Sequence, residues 1–374
     1  MARARRGESA WLAVDDAKLP EAAVLVAEVT RQNYPALKIP YHSRWRHFEA
    51  GSVNRKAWLD AALGKLAGQP TAAQIARMRI DLTVVSVLLD AGAGPGWRFA
   101  EAQTGQSFSR SEGLGVASLH AFMAGLFSSD PAMPLQVDAA GLQALTVEQL
   151  AQAFQVNDGN PLVGLEGRTA LLQRLGGVLK KRPGELFDAL APAGNPPGIQ
   201  AHAILSWLLA RLGPIWLAGN TLDGVAVGDC WPCPAAPGGW MPFHKLSQWL
   251  TYSLLEPFEW AGVTVTGLDQ LTGLPEYRNG GLLLDAGVLQ LKDAAWAGQT
   301  WLPGDPLVVE WRALTVALLD ELAPLVRAHL GLDEAQMPLA CVLEGGTWAA
   351  GRVLAQRLRG GTPPLNIVSD GTVF

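Results

Sequence analysis

Charge is scarce in this chain. Asp, Glu, Lys and Arg make up 17% of 374 residues and hydrophobic residues 49%, a balance that excludes a disordered, collagen-like or charge-driven polymer. Positive charge is not in surplus either: 29 Lys and Arg stand against 34 Asp and Glu, net −5. No global field exists to hold duplex nucleic acid by counterion release. Cysteine is nearly absent, at three residues, too few for a disulfide framework and suited to a reducing, cytoplasmic compartment. Long apolar runs are missing: Ile204 to Ala218 carries Arg211 and Pro214 and falls short of the about 20 residues of a membrane span. The basic start MARARRGESAWLAVDDAKLP is interrupted by Asp15, Asp16 and Lys18 where a signal peptide needs an apolar stretch. Fixed-period repeats, G-x-G-x-x-G, Walker and H-E-x-x-H motifs are also lacking.

What is plentiful is length, tryptophan and helical patterning. The length allows two domains or one large body with a satellite, and 14 Trp offer flat surfaces for packing or for stacking on a ring or sugar. Apolar residues at three-and-four spacing predict a helix over 305–330, through Leu307, Trp311, Leu314, Leu318, Leu322 and Leu325. Further helices are expected around 22–34, 55–66, 72–91, 143–154, 168–180, 199–212 and 243–256. Strand signals are few: alternation over 262–267, a hairpin over 282–291 turning at Ala286-Gly287, and a short edge before Val137. The expected class is mainly α with a small β element. Pro and Gly cluster at 192–198 and 232–242, both reading as loops. The first is the expected seam between an N-terminal helical part, 1–195, and a C-terminal part, 196–374, packed as one body around a central cleft.

Five groups of residues carry potential chemistry. In Ile39 to Gly51, His42, Arg44, Arg46 and His47 crowd around aromatic neighbours; guanidinium forks suit phosphate oxygens, and the alternative is a solvated basic turn paired with local acids. In LTGLPEYRNGG, Pro275 stiffens the approach to Glu276, Tyr277 and Arg278 before Asn279-Gly280-Gly281 loosens the chain. Glu276 in a cleft suits a general base or a stabiliser of a developing cation, with Arg278 keeping it ionised; on a surface it is an ordinary Arg–Glu turn. Glu310 and Arg312 stand among apolar residues and need counter-groups from elsewhere or a polar cavity. On the helix expected at 243–256, His244 and Lys245 lie on a polar side, Lys245 suited to an anion or simply solvated. Cys230-Trp231-Pro232-Cys233 has the spacing of a metal or redox pair, yet no second pair exists and His244 is eleven residues on. No metal and no cofactor are expected. Glu344, Arg352 and Asp370 sit in polar islands to which the residues alone assign no mechanism.

The segments IPYHSRWRHFEAG, FHKLSQWLTYSLLEP, LTGLPEYRNGGLLLD, VEWRALTVALLDEL, LEGGTWAAGR and SDGTVF, in that order, resemble the uracil-catabolism protein four family from about residue 20 to the end. A more distant similarity links Pro275 to Arg278, Lys245-Leu246-Ser247-Gln248 and Glu310 to Ala313 to the queuosine-phosphate salvage glycosidases, in which an Asp stands at the place of Glu276. That resemblance implies a DNA-glycosylase-like, helix-hairpin-helix architecture. It also implies hydrolysis of an N-glycosidic bond in a 5′-phosphorylated nucleoside derivative, here a ring-opened uridine nucleotide such as ribosylurea 5′-phosphate. On that reading Glu276 and Arg278 are catalytic, and His42, Arg44, Arg46, His47, His244, Lys245, Tyr277, Glu310 and Arg312 bind substrate. Two other readings stay open: an amidohydrolase acting on the ring-opened fragment, and a non-catalytic partner of the pathway's cyclohydrolase-like enzyme. The expected ligand is a phosphorylated small molecule, not nucleic acid or a membrane.

Overall fold

The computed structural model describes residues 1–66, 68–191, 198–216 and 219–368. It is mainly helical with small two-stranded sheets, and no helix among the described residues is long and apolar enough to cross a membrane. Two compact units emerge. One takes Met1–His42, Asp229–Gln248 and the stretch beginning at Leu268; the other takes Ser43–Gly228 and Trp249–Gly267. Each therefore draws on both sides of residue 195; most of the expected seam, 192–197, lies outside the described residues.

The first unit is built on the helix Pro306–Leu330, which begins after Asp305 with Pro306 in its first turn and ends at Gly331 in the left-handed region, φ 70°, as the periodicity predicts. It packs on Leu19–Asn33, while Tyr277–Asp285 packs on Trp348–Arg359. The second contact is close: a Cβ at Gly351 would lie 2.1 Å from the Arg278 carbonyl oxygen. The hairpin expected at 282–291 is not formed. Its first half is the end of the helix Tyr277–Asp285, and after a turn at Gly287 the strand Leu289–Leu291 pairs antiparallel with Leu12–Val14, Leu12 opposite Leu291. Three consecutive leucines fit a buried helix as well as a strand, and the cap at Glu276 decides for helix. The 232–242 stretch is not simply a loop, since Cys230–Pro232 pairs with Trp240–Pro242.

The second unit is centred on Ala72–Leu88, opened by a capping box between Thr71 and Gln74 and buried over most of its length. The expected edge before Val137 is absent from the assigned strands; the Val137 N–H instead donates to the carboxylate of buried Asp81 at 3.0 Å. The alternation at 262–267 yields only Val265–Thr266, parallel to Ile199–Gln200. A buried ionic cluster lies here too. Arg55 grips both oxygens of Glu101 at 2.6 and 2.5 Å, and His120 Nε2 lies 2.7 Å from the same carboxylate. Burial alone would raise the Glu101 pKa, but the hydrogen bonds from Arg55, His120 and Thr104 outweigh it and draw the value down to about 2.

Candidate active site

Glu276 follows Pro275 in extended backbone, φ −111° and ψ 172°, and is the N-cap of the helix Tyr277–Asp285. Its carboxylate accepts hydrogen bonds from the backbone N–H of Arg278 at 2.7 Å and of Asn279 at 2.6 Å, the usual task of a short polar cap residue performed by a longer one. The side chain is buried. Burial pushes its pKa above the ordinary carboxylate range, against the two N–H groups and against Lys245 and His42, which act on it through space.

Contrary to the expectation from the sequence, the glycines after it do not loosen the chain; they lie inside the helix and bring it against its neighbours. A Cβ at Gly280 would lie 2.6 Å from the Trp311 indole, whose Nε1–H donates to the Gly280 carbonyl at 3.1 Å. Nor does the Arg278 guanidinium meet Glu276. It reaches the Gly361 carbonyl at 3.2 Å and lies over the Tyr277 ring at 4.9 Å; only its backbone N–H serves the carboxylate.

Arg312 acts as a strut. Its two terminal nitrogens each lie 2.7 Å from one oxygen of Asp229, its Nε–H donates to the Pro275 carbonyl at 3.1 Å, and Phe243 covers it at 4.1 Å. Asp229 in turn accepts from the Lys245 N–H at 3.0 Å and from the Trp231 indole N–H at 2.8 Å. Burial would raise its pKa, yet Arg312 and these donors hold it below the ordinary value. One buried ion pair thus fixes both the residue before Glu276 and the start of the helix Lys245–Glu259. His244, just outside that helix, has φ 45°, and burial lowers its pKa.

His42 belongs to the same unit. Its Nδ1 is 2.7 Å from Glu344 Oε2, and the other oxygen of Glu344 accepts from the Tyr34 hydroxyl at 2.9 Å. Glu344 lies in a π-helical turn, Leu343–Thr347. The sequence assigned no role to Glu344, and Tyr34 and Asp229 carried no signal at all.

Most of the other expected site residues have partners of their own. Glu310 lines a cavity of about 670 Å³ with Trp11, Cys233 and Met241, and neither Glu276, Lys245 nor His42 is among its walls. In the second unit, Arg44 is fully buried, bonded to Asp90 at 2.8 Å and to the carbonyls of Ser86 and Ser111 at 2.8 and 3.0 Å. Arg46 is bonded to Glu256 at 2.7 Å, and His47 stands edge-on to Trp249 at 5.7 Å. The basic cluster is therefore divided: His42 shares a unit with Glu276, whereas both arginines are engaged by carboxylates of their own unit. Cys230 and Cys233 are buried thiols, and Asp370 lies outside the described residues.

The family model described as a protein of unknown function, DUF1688, matches residues 1–374. The chain is 43% identical over 368 residues to protein urg3 of Schizosaccharomyces pombe, covering 96% of this chain and 91% of that protein. It is 39% identical over 384 aligned positions to uracil catabolism protein 4 of Lachancea kluyveri, covering 90% and 85% respectively.

Proposed function

The chain belongs to the DUF1688 family, and on that premise we propose that it is a cytoplasmic hydrolase of uracil catabolism, cleaving the C–N glycosidic bond of a ring-opened uridine nucleotide such as ribosylurea 5′-phosphate. The observation that carries the reading is Glu276: a buried carboxylate held by two backbone N–H groups, its pKa raised by burial, in the field of Lys245 and His42. Cleavage of the bond leaves the sugar with oxocarbenium character. A fixed carboxylate stabilises that charge and takes a proton from the attacking water. Lys245 keeps enough of the carboxylate ionised for the task. The DNA-glycosylase-like architecture is part of this proposal, resting on the distant similarity around Pro275 to Arg278.

The test is product analysis after incubating the purified protein with ribosylurea 5′-phosphate. Free ribose 5-phosphate together with urea is the expected result, lost in Glu276→Gln. Ammonia and carbon dioxide released while the ribose keeps its nitrogen would replace the glycosidase with an amidohydrolase. Tight binding without turnover, with a pathway enzyme co-purifying, would replace it with a carrier.

A further inference from the structure

We propose that the cavity walled by Glu310 is a second ligand site of the first unit, taking an organic ammonium ion with an apolar body. It stands apart from Glu276 and does not depend on the glycosidase reading. The cavity holds about 670 Å³, inside the range of about 300 to 1,000 Å³ in which small-molecule sites fall. One wall is a single face of the helix Pro306–Leu330, where Pro306, Val309, Glu310, Ala313, Leu314 and Ala317 recur at the spacing of successive turns. The others come from residues 1–4 and 8–11 and from the hairpin side around Cys233 and Met241, all within the same unit. These walls are tied down. Arg5 donates to Asp16 and to Glu321 of that helix at 3.0 Å each, Lys292 donates to the Gly7 carbonyl at 3.0 Å, and Val309 packs in one apolar cluster with Cys233 and Phe243, Met241 and Ala313 against it. A ligand therefore enters a formed chamber and costs little ordering of the protein.

The charge of the ligand follows from Glu310. A carboxylate among apolar residues needs a counter-group from elsewhere or a polar cavity, and its neighbour Arg312 takes the first course, paired with Asp229. Among the described residues Glu310 makes no hydrogen bond and no ion pair, although it stands in the cavity wall. The other polar groups of that wall are engaged. Glu8 accepts from Arg6 at 2.6 Å, Arg3 lies 3.8 Å from Glu8, and the Ser9 hydroxyl oxygen accepts from the N–H groups of Trp11 and Leu12 at 3.0 and 2.9 Å. One carboxylate in a mostly apolar chamber matches one cationic N–H donor carried on apolar surface: the charge is met as the body leaves water. Trp11 adds an indole to the wall, packed against Trp296 and Trp301 at 5.0 and 6.1 Å, and an aromatic ring attracts the same ion. An anionic ligand would face Glu310 with like charge.

The experiment is a ligand-observed NMR titration of the full chain with 2-phenylethylamine, 2-phenylethanol and 3-phenylpropionate, which share one phenethyl body and differ in charge. The amine is expected to bind with a Kd of about 0.5 mM, and the alcohol and the acid about tenfold or more weakly. Glu310→Gln is expected to weaken the amine about tenfold and to leave the alcohol within about twofold, a split that a folding defect would not give. Ala313→Leu, which fills part of the cavity while keeping the carboxylate, is expected to weaken amine and alcohol alike by about fivefold or more, with thermal unfolding followed alongside. Glu276→Gln is expected to bind the amine as the parent does, whatever becomes of turnover, so the failure of one site is told apart from the failure of the other. Alcohol or acid binding as tightly as the amine, amine binding untouched by Glu310→Gln or by Ala313→Leu, or no uptake of the amine at about 10 mM, would overturn the assignment.

Discussion

Two of the buried carboxylates, Glu101 and Glu276, are each electrostatically coupled to a histidine, and they are opposites. Glu101 in the second unit is saturated: Arg55 takes both oxygens, His120 and Thr104 add hydrogen bonds, and its pKa falls to about 2. Glu276 in the first unit is bonded to two backbone N–H groups, the cations act on it through space, and its pKa is raised. A carboxylate whose charge is fully paid in fixed ion pairs holds a fold together and has little left for chemistry. One whose burial is only partly offset sits closer to neutrality, where it can take and return a proton.

Exchanging each carboxylate for its amide breaks the contrast most sharply. Glu276→Gln is expected to lower kcat on the ribosylurea phosphate by 1,000-fold or more, about 4 kcal/mol in the barrier, while thermal unfolding moves only by a weakened helix cap, about 1 kcal/mol. Glu101→Gln should do the reverse. Removing one partner of a buried ion pair costs about 3 to 5 kcal/mol, read as a large drop in Tm, with kcat of the folded fraction unchanged. The same pair sets the acid response: the folded pKa of Glu101 is depressed, so its stabilisation is full above its unfolded value near 4.5 and is lost as pH falls toward about 2. Urea titrations between pH 6 and pH 3 would show a declining midpoint in the parent and a flatter one in Glu101→Gln.

Glu276→Asp gives a finer cut. Aspartate is an excellent cap, so stability should stay within about 0.5 kcal/mol, yet the carboxylate retracts by one methylene from the reacting carbon. A fall in kcat of about 10- to 100-fold is expected from such misplacement, measured by steady-state release of ribose 5-phosphate. Full activity in the Asp variant would mean that the oxygens are not held at a fixed distance from the sugar.

Much of the scaffold was legible and much of the site's wiring was not, for the same physical reason. The helix Pro306–Leu330 announces itself through local periodicity, Pro306 at its start and Gly331 at its end. Glu276 stands out because Pro and Gly flank it, but the glycines do not loosen the chain: Gly280 is there for the Trp311 indole, a neighbour no local pattern reveals. Glu344 meets His42 and Tyr34 across 302 and 310 residues of chain, and Asp229 meets Arg312 across 83. Pairings of that span leave no trace in spacing. The crowded cations of residues 42–47 allow either a phosphate site or pairing with acids, and local density does not say with which: Arg44 and Arg46 are bonded to Asp90 and Glu256, both distant in the chain.

The smallest expected effect tests whether the field on Glu276, rather than its hydrogen bonds, sets its working pH. Burial raises its pKa, and Lys245 opposes that rise. As a base Glu276 works only when ionised, so kcat climbs with pH through its pKa. Lys245→Met removes the opposition, and the acid limb of the kcat profile must then move to higher pH. On the acid side of the profile the variant should keep a smaller fraction of its own plateau than the parent does at the same pH, with the plateau little changed. Glu101 offers the control, since Arg55 touches its carboxylate directly and no substitution in the first unit should alter the acid unfolding it governs. If Lys245→Met left the acid limb in place, Lys245 would have no part in setting Glu276, and the distinction between the two carboxylates would rest on burial and hydrogen bonding instead of on the charge of that lysine.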